Sequence, residues 1–235
     1  MPNPPTLNGI DSAAYALRYW ERKQEVVANN LANVSTDGFK AQRVFGRLLD
    51  GMRPVAEAGS DLSTGVLKDT GNPNDLAISG DGFIVVQSTN GERYARGGSL
   101  RMNEKNQLVT TDGMPLLGEK GIIKVDPNAP YTIGKDGEIS QKGSIIDRLR
   151  VESAPKGAEL QREGNSLWVP PATRTAMKPE TRMLKQGVLE ESNVNSLTGM
   201  IDMVQIQRAY ASVQKSILEL DRANQTVTTE LAKPL

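Results

Sequence analysis

The chain has 235 residues, of which 37% are hydrophobic and only 4% aromatic, so a single large globular core is not expected. Its 28 basic residues balance its 28 acidic residues, and no net charge draws it to nucleic acid or to an anionic membrane. It has no histidine and no cysteine, which excludes Ser/His/Asp and Cys/His triads, histidine and thiolate metal sites and disulfides, so we expect no catalytic residue, cofactor or metal.

A helix follows a proline-rich start. Residues 1–9 contain neither a basic nor an apolar signal region, so we expect no cleaved Sec signal peptide. Apolar side chains then recur at helical spacing, which predicts a helix over residues 11–33. A lone helix of this kind is marginal in water, so we expect it to need a packed partner.

Residues 34–71 connect this helix to the middle of the chain. Cap and turn residues crowd together at 35–38, where Gly38 favours the left-handed conformation that ends a helix. Residues 39–52 carry an amphipathic pattern that is compatible with a helix or with an extended arm, and both remain open. Residues 54–60 are typical of a linker.

Short apolar runs separated by Gly, Asn and Asp fill residues 62–189 and predict an irregular β domain. The predicted strands are 76–78, 83–86, 92–94, 107–110, 122–125, 131–133, 139–140, 149–151 and 167–169. Asp-Gly or Asn-Gly pairs at 81–82, 90–91, 112–113 and 136–137 favour tight hairpin turns. We therefore expect mostly antiparallel, local pairing, and we assign Asp75, Asp81, Asp112 and Asp136 to turns rather than to a metal site.

The C-terminal residues 193–231 form the most regular pattern in the chain. An alternation of three and four residues marks one helical seam. A second apolar stripe, Leu197, Ile201, Val204, Ala211 and Leu218, is expected to lie beside the first and to widen the apolar face. The N- and C-terminal helices can cover their seams by pairing antiparallel, with the β domain inserted between them, and copies can then bundle side by side.

The asparagines at 29, 30 and 33 are unusual within a helix, because asparagine competes for its own backbone hydrogen bonds. One interpretation is a frayed helix end with a capping asparagine. The other is a row of amides that bond across a helix interface, which Asn224 in the C-terminal seam also fits.

Four segments carry a more specific signal than the helical periodicity does. They are ANNLANVSTDGFK at 28–40, NPNDLAISGDGF at 72–83, YARGGSL at 94–100 followed by LVT at 108–110, and QGVLEESNVN at 186–195 followed by QRAY at 207–210. In this order they resemble the signatures of the flagellar rod and hook protein family of bacterial axial proteins. The short middle and the run at 64–73 resemble the proximal-rod members more than the distal-rod members.

The resemblance implies an α+β fold with discontinuous terminal helices in a coiled-coil-like pair and an inserted irregular antiparallel β domain. The expected divisions are an N-terminal helical segment of an inner-tube domain at 1–52, a linker or extended arm at 53–71, the β domain at 72–188 and a C-terminal helical segment at 189–235. Assembly should use the seams and the asparagine row. The expected interface residues are Leu17, Trp20, Val27, Asn29, Asn30, Leu31, Asn33, Met203, Ile206, Tyr210, Val213, Ile217, Leu220, Asn224, Val227 and Leu231.

The function implied by the resemblance is that of a structural subunit of the flagellar basal-body rod. Such a subunit passes unfolded through the flagellar type III export apparatus. In the periplasm it polymerises helically with copies of itself and other rod proteins into a drive shaft around the export channel, with no membrane span and no nucleic acid. The alternatives are a distal-rod or hook subunit, or, in a different class, a periplasmic binding, scaffold or glycan-acting module beside the rod.

Overall fold

The computed structural model of the protein describes residues 9–49, 53–155, 160–164 and 166–231. Contacts divide these residues into two compact units. The first, called the helical unit, comprises residues 9–32, 42–59 and 195–231 where described. The second, called the β unit, comprises Asn33–Ala41 and Ser60–Val194. The prediction of an α+β fold with a helix towards each end of the chain and antiparallel strands between them is confirmed.

The elements follow the chain in this order. The helices are α1 Gly9–Ala32, the short 3-10 helix Pro179–Thr181 and α2 Ser196–Leu231. The strands up to the middle of the β unit are β1 Gln42–Leu49, β2 Arg53–Ser60, β3 Leu67–Asp69, β4 Asp75–Ile78, β5 Phe83–Ser88, β6 Gly91–Ala95, β7 Gly97–Met102, β8 Leu108–Thr110, β9 Leu117–Gly118 and β10 Gly121–Ile122. The remaining strands are β11 Tyr131–Ile133, β12 Glu138–Gln141, β13 Ser144–Arg148, β14 Val151–Ser153, β15 Arg162–Glu163, β16 Leu167–Trp168, β17 Thr175–Ala176, β18 Leu184–Gln186 and β19 Val188–Glu190.

Within the helical unit, α1 and α2 pack against each other in opposite directions. The first described residue of α1, Gly9, lies against Leu220 in the C-terminal half of α2, whereas Leu31 at the other end of α1 lies against Gly199. A β-carbon built on Gly199 would be 2.8 Å from Leu31 Cδ2, so the missing side chain lets the two helices approach closely. Because α2 has 36 residues and α1 has 24, residues 221–231 extend past the described start of α1.

The same unit contains a two-stranded sheet made of β1 and β2. Residues 39–52 were compatible with a helix or with an extended arm. The structure has an extended strand over 42–49, and 50–52 lie outside the described residues. The interpretation of 54–60 as a linker is wrong, since these residues form β2. Its sequence has one β-branched residue, Val55, and no aromatic residue, so pairing with β1 rather than propensity makes it extended.

The β unit contains a six-stranded, a four-stranded and a three-stranded sheet together with two-stranded ladders. The strand orders are β15-β16-β6-β5-β14-β17, β18-β4-β7-β8, β11-β12-β13, β10-β9 and β19-β3. The residue pairings described between these strands are antiparallel. Fifteen buried residues form one core cluster, and Phe83, Val85, Tyr94, Leu117 and Trp168 form a second. This unit therefore has a substantial core of its own.

The hairpin predictions are partly right. The pairs at 90–91 and 136–137 turn β5 into β6 and β11 into β12. The pair at 81–82 does not join β4 to β5, because β4 pairs with β7 and β18 instead. The prediction of mainly local pairing is also incomplete. The ladders of β18 with β4 and of β19 with β3 join strands more than a hundred residues apart along the chain, which turn signals cannot predict.

Candidate assembly surfaces

The inner face of α2 is the face that packs against α1. Ile206 is buried, and Val213 and Ile217 are half-buried on the same side. On α1, Val26 and Val27 are buried, whereas most other apolar side chains of that helix retain some exposure. The predicted seam residues Met203 and Tyr210, and Leu17, Trp20 and Leu31 on α1, are half-buried, and Leu220 is exposed. The helical pair thus forms, but it covers its seams incompletely.

The second stripe of α2 forms a separate outer face. Leu197, Val204, Ala211 and Leu218 recur every seven residues and, at about 3.6 residues per turn, point away from the side that carries Ile206. Leu197 is 68% exposed and Leu218 59%. The expectation that the two stripes form one wide face is therefore wrong. The helix has a partly covered inner face and an uncovered, apolar outer face.

Trp20 lies in an apolar cleft of about 270 Å³ between α1 and the β1–β2 sheet. Its ring makes an edge contact with Tyr19 at 5.3 Å between centroids, and the Lys23 ammonium lies over it at 5.3 Å. Tyr15, Val55 and Ala56 also line this cleft. The tryptophan is therefore a partly exposed aromatic surface within the helical unit.

The asparagine row is divided between different roles. Asn30 is bonded within its own chain: its amide donates to the Gln42 carbonyl at 2.8 Å and accepts from the Gln42 N–H at 2.9 Å, which fixes the start of β1. Asn33 is buried and accepts hydrogen bonds from Thr36, and Asn29 is exposed. The sequence positions Asn224, Val227 and Leu231 lie on the part of α2 that extends past the described start of α1.

A buried ion network lies in the β unit, and its three charged side chains come from three of the four signature segments. One Glu190 carboxylate oxygen accepts from the Lys40 ammonium at 2.5 Å, and the other accepts from Arg96 Nε at 3.1 Å. All three side chains are nearly inaccessible to solvent. Burial lowers the pKa of the Lys40 ammonium, and the hydrogen bond to Glu190 opposes that change.

This network was not predicted, because charged residues are usually solvated and because three residues far apart along the chain give no periodic signal. A signal did exist, however, since Lys40, Arg96 and Glu190 belong to the segments 28–40, 94–100 and 186–195 that carry the family resemblance. The remaining donors of the two cations find backbone acceptors. Arg96 donates to the Gly82 carbonyl at 2.7 Å, and Lys40 to the Ser63 carbonyl at 2.5 Å. The network therefore holds the start and the end of the β unit together.

No group of three or more Asp and Glu side chains in the described part of the chain is placed to hold a metal ion. Among the same residues, no helix combines the length and apolar character needed to cross a membrane. The surface features that remain to be explained are the outer face of α2, the Trp20 cleft and the buried network.

Three family descriptions match the chain in succession. Residues 10–40 match "Flagella basal body rod protein", residues 77–141 match "Flagellar hook protein FlgE/F/G D1 domain", and residues 185–230 match "Flagellar basal body rod FlgEFG protein C-terminal". The first and third cover α1 and most of α2, and the second lies within the β unit.

Curated relatives match over nearly the whole length. The chain is 35% identical to the flagellar basal-body rod protein FlgF of Caulobacter vibrioides, over 90% of this chain and 93% of the relative. It is also 35% identical to the FlgF protein of Salmonella typhimurium, over 88% and 92%. A rod protein named FlgG, from Buchnera aphidicola subsp. Schizaphis graminum, is 34% identical over 86% and 92%.

Proposed function

The chain belongs to the flagellar rod and hook protein family and is a structural subunit of the basal-body rod, and we propose that within the rod it is a proximal subunit of the FlgF type. The relatives named FlgF, at 35% identity, support this assignment. The short β unit and the run at 64–73 support it as well. A distal position of the FlgG type is the second candidate, because a relative of that name is 34% identical over a similar share of the chain.

The subunit assembles through α1 and α2. The observation that carries this proposal is the outer face of α2, where Leu197, Ile201, Val204 and Leu218 are all exposed. A stripe of large apolar side chains along a helix is unfavourable in water and is typical of a surface that another protein covers. The occupants that fit this stripe are the helices of neighbouring copies and of other rod proteins, which offer apolar seams of the same spacing.

Assembly then supplies stability that the helical unit lacks by itself. Burying one large apolar side chain contributes about 1.5–3 kcal/mol, so covering the four large apolar side chains of the outer face adds to the stability that the inner face provides within one subunit. Part of this gain is offset by the ordering of side chains and chain segments on association. Folding of the terminal helices and polymerisation are therefore coupled, which suits a chain that reaches the periplasm unfolded through the type III export apparatus.

In the assembled rod, the helices form the inner tube around the export channel, so that torque passes along the tube. The interface residues are those of the seams together with the outer face. Trp20 and the Tyr15 side chain in the same cleft provide a further aromatic contact surface for a neighbouring helix.

The test replaces one outer-face residue by a charge. Ile201→Asp and Leu218→Asp each put a carboxylate into the proposed interface, so we expect loss of rod assembly and of swimming when either variant replaces the normal protein. The exposed Ser216 on the same helix offers the matched control, because Ser216→Asp adds the same charge away from the outer stripe. We expect this control to swim normally.

Both charged variants should remain folded monomers, since the residues they change are exposed. Normal swimming by Ile201→Asp and Leu218→Asp, with export demonstrated, would refute assembly through the outer face. Electron microscopy of labelled subunits in isolated basal bodies tests the axial position separately: label near the membrane end supports a proximal subunit, and label next to the hook overturns it.

A further inference from the structure

Three passages of the chain between the β unit and the rest of the molecule come together at one side chain. The chain leaves the β unit after Ala41, re-enters it at Ser60 and leaves again after Val194. Asn193 lies beside the last of these passages. Its Oδ1 accepts from the Ala41 N–H at 2.7 Å, and its Nδ2 donates to the Asp61 carbonyl at 2.9 Å.

Further hydrogen bonds within the β unit close this arrangement, which we call the junction. Asn193 Nδ2 also lies 3.1 Å from both the carbonyl and the hydroxyl oxygen of Ser63. The Asp61 N–H donates to the Ala41 carbonyl at 2.7 Å, so the first two passages are bonded directly to each other as well. The Gly38 N–H donates to the Glu190 carbonyl at 2.6 Å, and the Gly65 N–H donates to the Glu190 carboxylate at 2.8 Å.

Asn193 differs in this respect from an asparagine that merely completes a turn. Asn103, between β7 and β8, accepts from the N–H groups of Lys105 and Gln107, two and four residues away. The partners of Asn193 lie 152, 132 and 130 residues away. The bonds of a local turn span only a few residues, whereas a side chain that orders three separate passages bonds to residues far apart along the chain.

A fixed junction matters for assembly because every copy in a helical polymer must make the same contacts. If the passages could separate, the chain would enter and leave the β unit at variable points, and ordering these segments on association would cost conformational entropy. A junction that is already ordered in the free subunit avoids that cost.

We propose that Asn193 is a positioning residue for rod assembly, which holds together three of the four points at which the chain enters or leaves the β unit, the fourth being the entry at Asn33. The inference rests on the proposed assembly through α1 and α2. The inference gives Asn193 a role in the free subunit, so the effect of substituting Asn193 can be measured without a polymer.

The experiment compares Asn193→Ala with Asn103→Ala in the full-length protein. Both changes remove an asparagine amide that bonds to backbone groups of the β unit, but the second leaves the junction intact. By amide hydrogen exchange in the purified subunit, we expect the Ala41 N–H to exchange about tenfold faster in Asn193→Ala, because it loses its acceptor. The Ala41 N–H should be unchanged in Asn103→Ala, and amides of the β5–β6 hairpin should be unchanged in both variants.

In cells, Asn193→Ala should give at least several-fold fewer assembled rods than Asn103→Ala at equal export. Unchanged exchange at Ala41, or equal rod numbers for the two variants, overturns the proposal. Should Asn193→Ala fail to fold, Asn193→Asp provides the second variant. It retains an acceptor for Ala41 but removes both donors, so we expect the Ala41 N–H to stay protected and rod numbers to stay below those of Asn103→Ala; equal numbers overturn the proposal.

The outer-face variants distinguish the two proposals. Normal assembly of Ile201→Asp together with faster Ala41 exchange and lost assembly in Asn193→Ala would refute the outer-face interface and leave the junction standing. Lost assembly of Ile201→Asp together with normal assembly of Asn193→Ala would refute the role of the junction and leave the outer-face interface standing.

Discussion

The β unit and the helical unit differ in how much apolar surface they cover by themselves. The β unit buries fifteen residues in its main core cluster and five more, Trp168 among them, in a second cluster. Among the described residues of α1 and α2, the buried apolar side chains are Val26, Val27 and Ile206, although the two helices are 24 and 36 residues long. The β unit therefore covers most of its apolar core within one subunit, whereas α1 and α2 leave much of their apolar surface uncovered.

This difference follows from geometry as much as from composition. Sheets of the β unit enclose side chains from several directions, so a residue such as Ile139 has no accessible surface. Two paired helices cover only one side of each other, and every other side stays open unless a further helix packs there. The contrast can be tested by changing one residue at a time in each unit.

The largest effect is expected in the ion network of the β unit. Glu190→Gln removes the carboxylate from two buried cations, Lys40 and Arg96, so we expect the free energy of unfolding to fall by about 3–5 kcal/mol. Urea unfolding of the purified subunit measures this change. The exposed pair of Arg22 and Glu25 on α1 is the control, and Glu25→Gln should cost less than about 0.5 kcal/mol. Equal effects of the two substitutions would show that the network is not important for stability.

The next prediction compares the same substitution in the two units. Ile139→Ala opens a cavity in the closed core of the β unit, and we expect the unfolding free energy of that unit to fall by about 2–5 kcal/mol. Ile206→Ala removes the buried side chain of α2 but should leave the β unit's transition in place and instead speed proteolysis of the helices. Circular dichroism in urea and limited proteolysis distinguish these outcomes. A single transition that shifts equally in both variants would mean that the units unfold together.

The smallest effect concerns pH. The ion pair with Arg150, together with a hydrogen bond from Arg174, holds the pKa of the Glu92 carboxyl below its usual value. Because the folded pKa is the lower one, the carboxylate stabilises the β unit above the ordinary pKa of glutamate and loses that contribution as pH falls through the folded value. Glu92→Gln should therefore lower stability by about 1 kcal/mol or less near pH 7, and the difference should vanish in acid. Urea unfolding at a series of pH values checks this, and a difference that grows towards acid would contradict it.

Much of the helical unit could be predicted from the sequence, because helical periodicity is a local signal. The spacing predicts α1 and α2 to within a few residues of their observed bounds. Strands β5 and β6 are predictable for a similar reason, since the asparagine and glycine at 90–91 mark the turn between two apolar runs. Strand β7 was missed because Gly97 and Gly98 begin it. A β-carbon at Gly97 would lie 2.1 Å from the Leu76 carbonyl oxygen, so only glycine lets β4 and β7 pair there.

The sequence by itself determined the fold class, the two helices and the family, because each rests on a pattern of neighbouring residues. The tertiary structure decided which stripe of α2 is covered and which strands pair across more than a hundred residues. It also decided that Lys40, Arg96 and Glu190 meet and that Asn193 bonds to Ala41. These outcomes depend on contacts between residues far apart along the chain. No local preference of a single lysine, glutamate or asparagine specifies its partner, so these contacts form only when the whole chain folds.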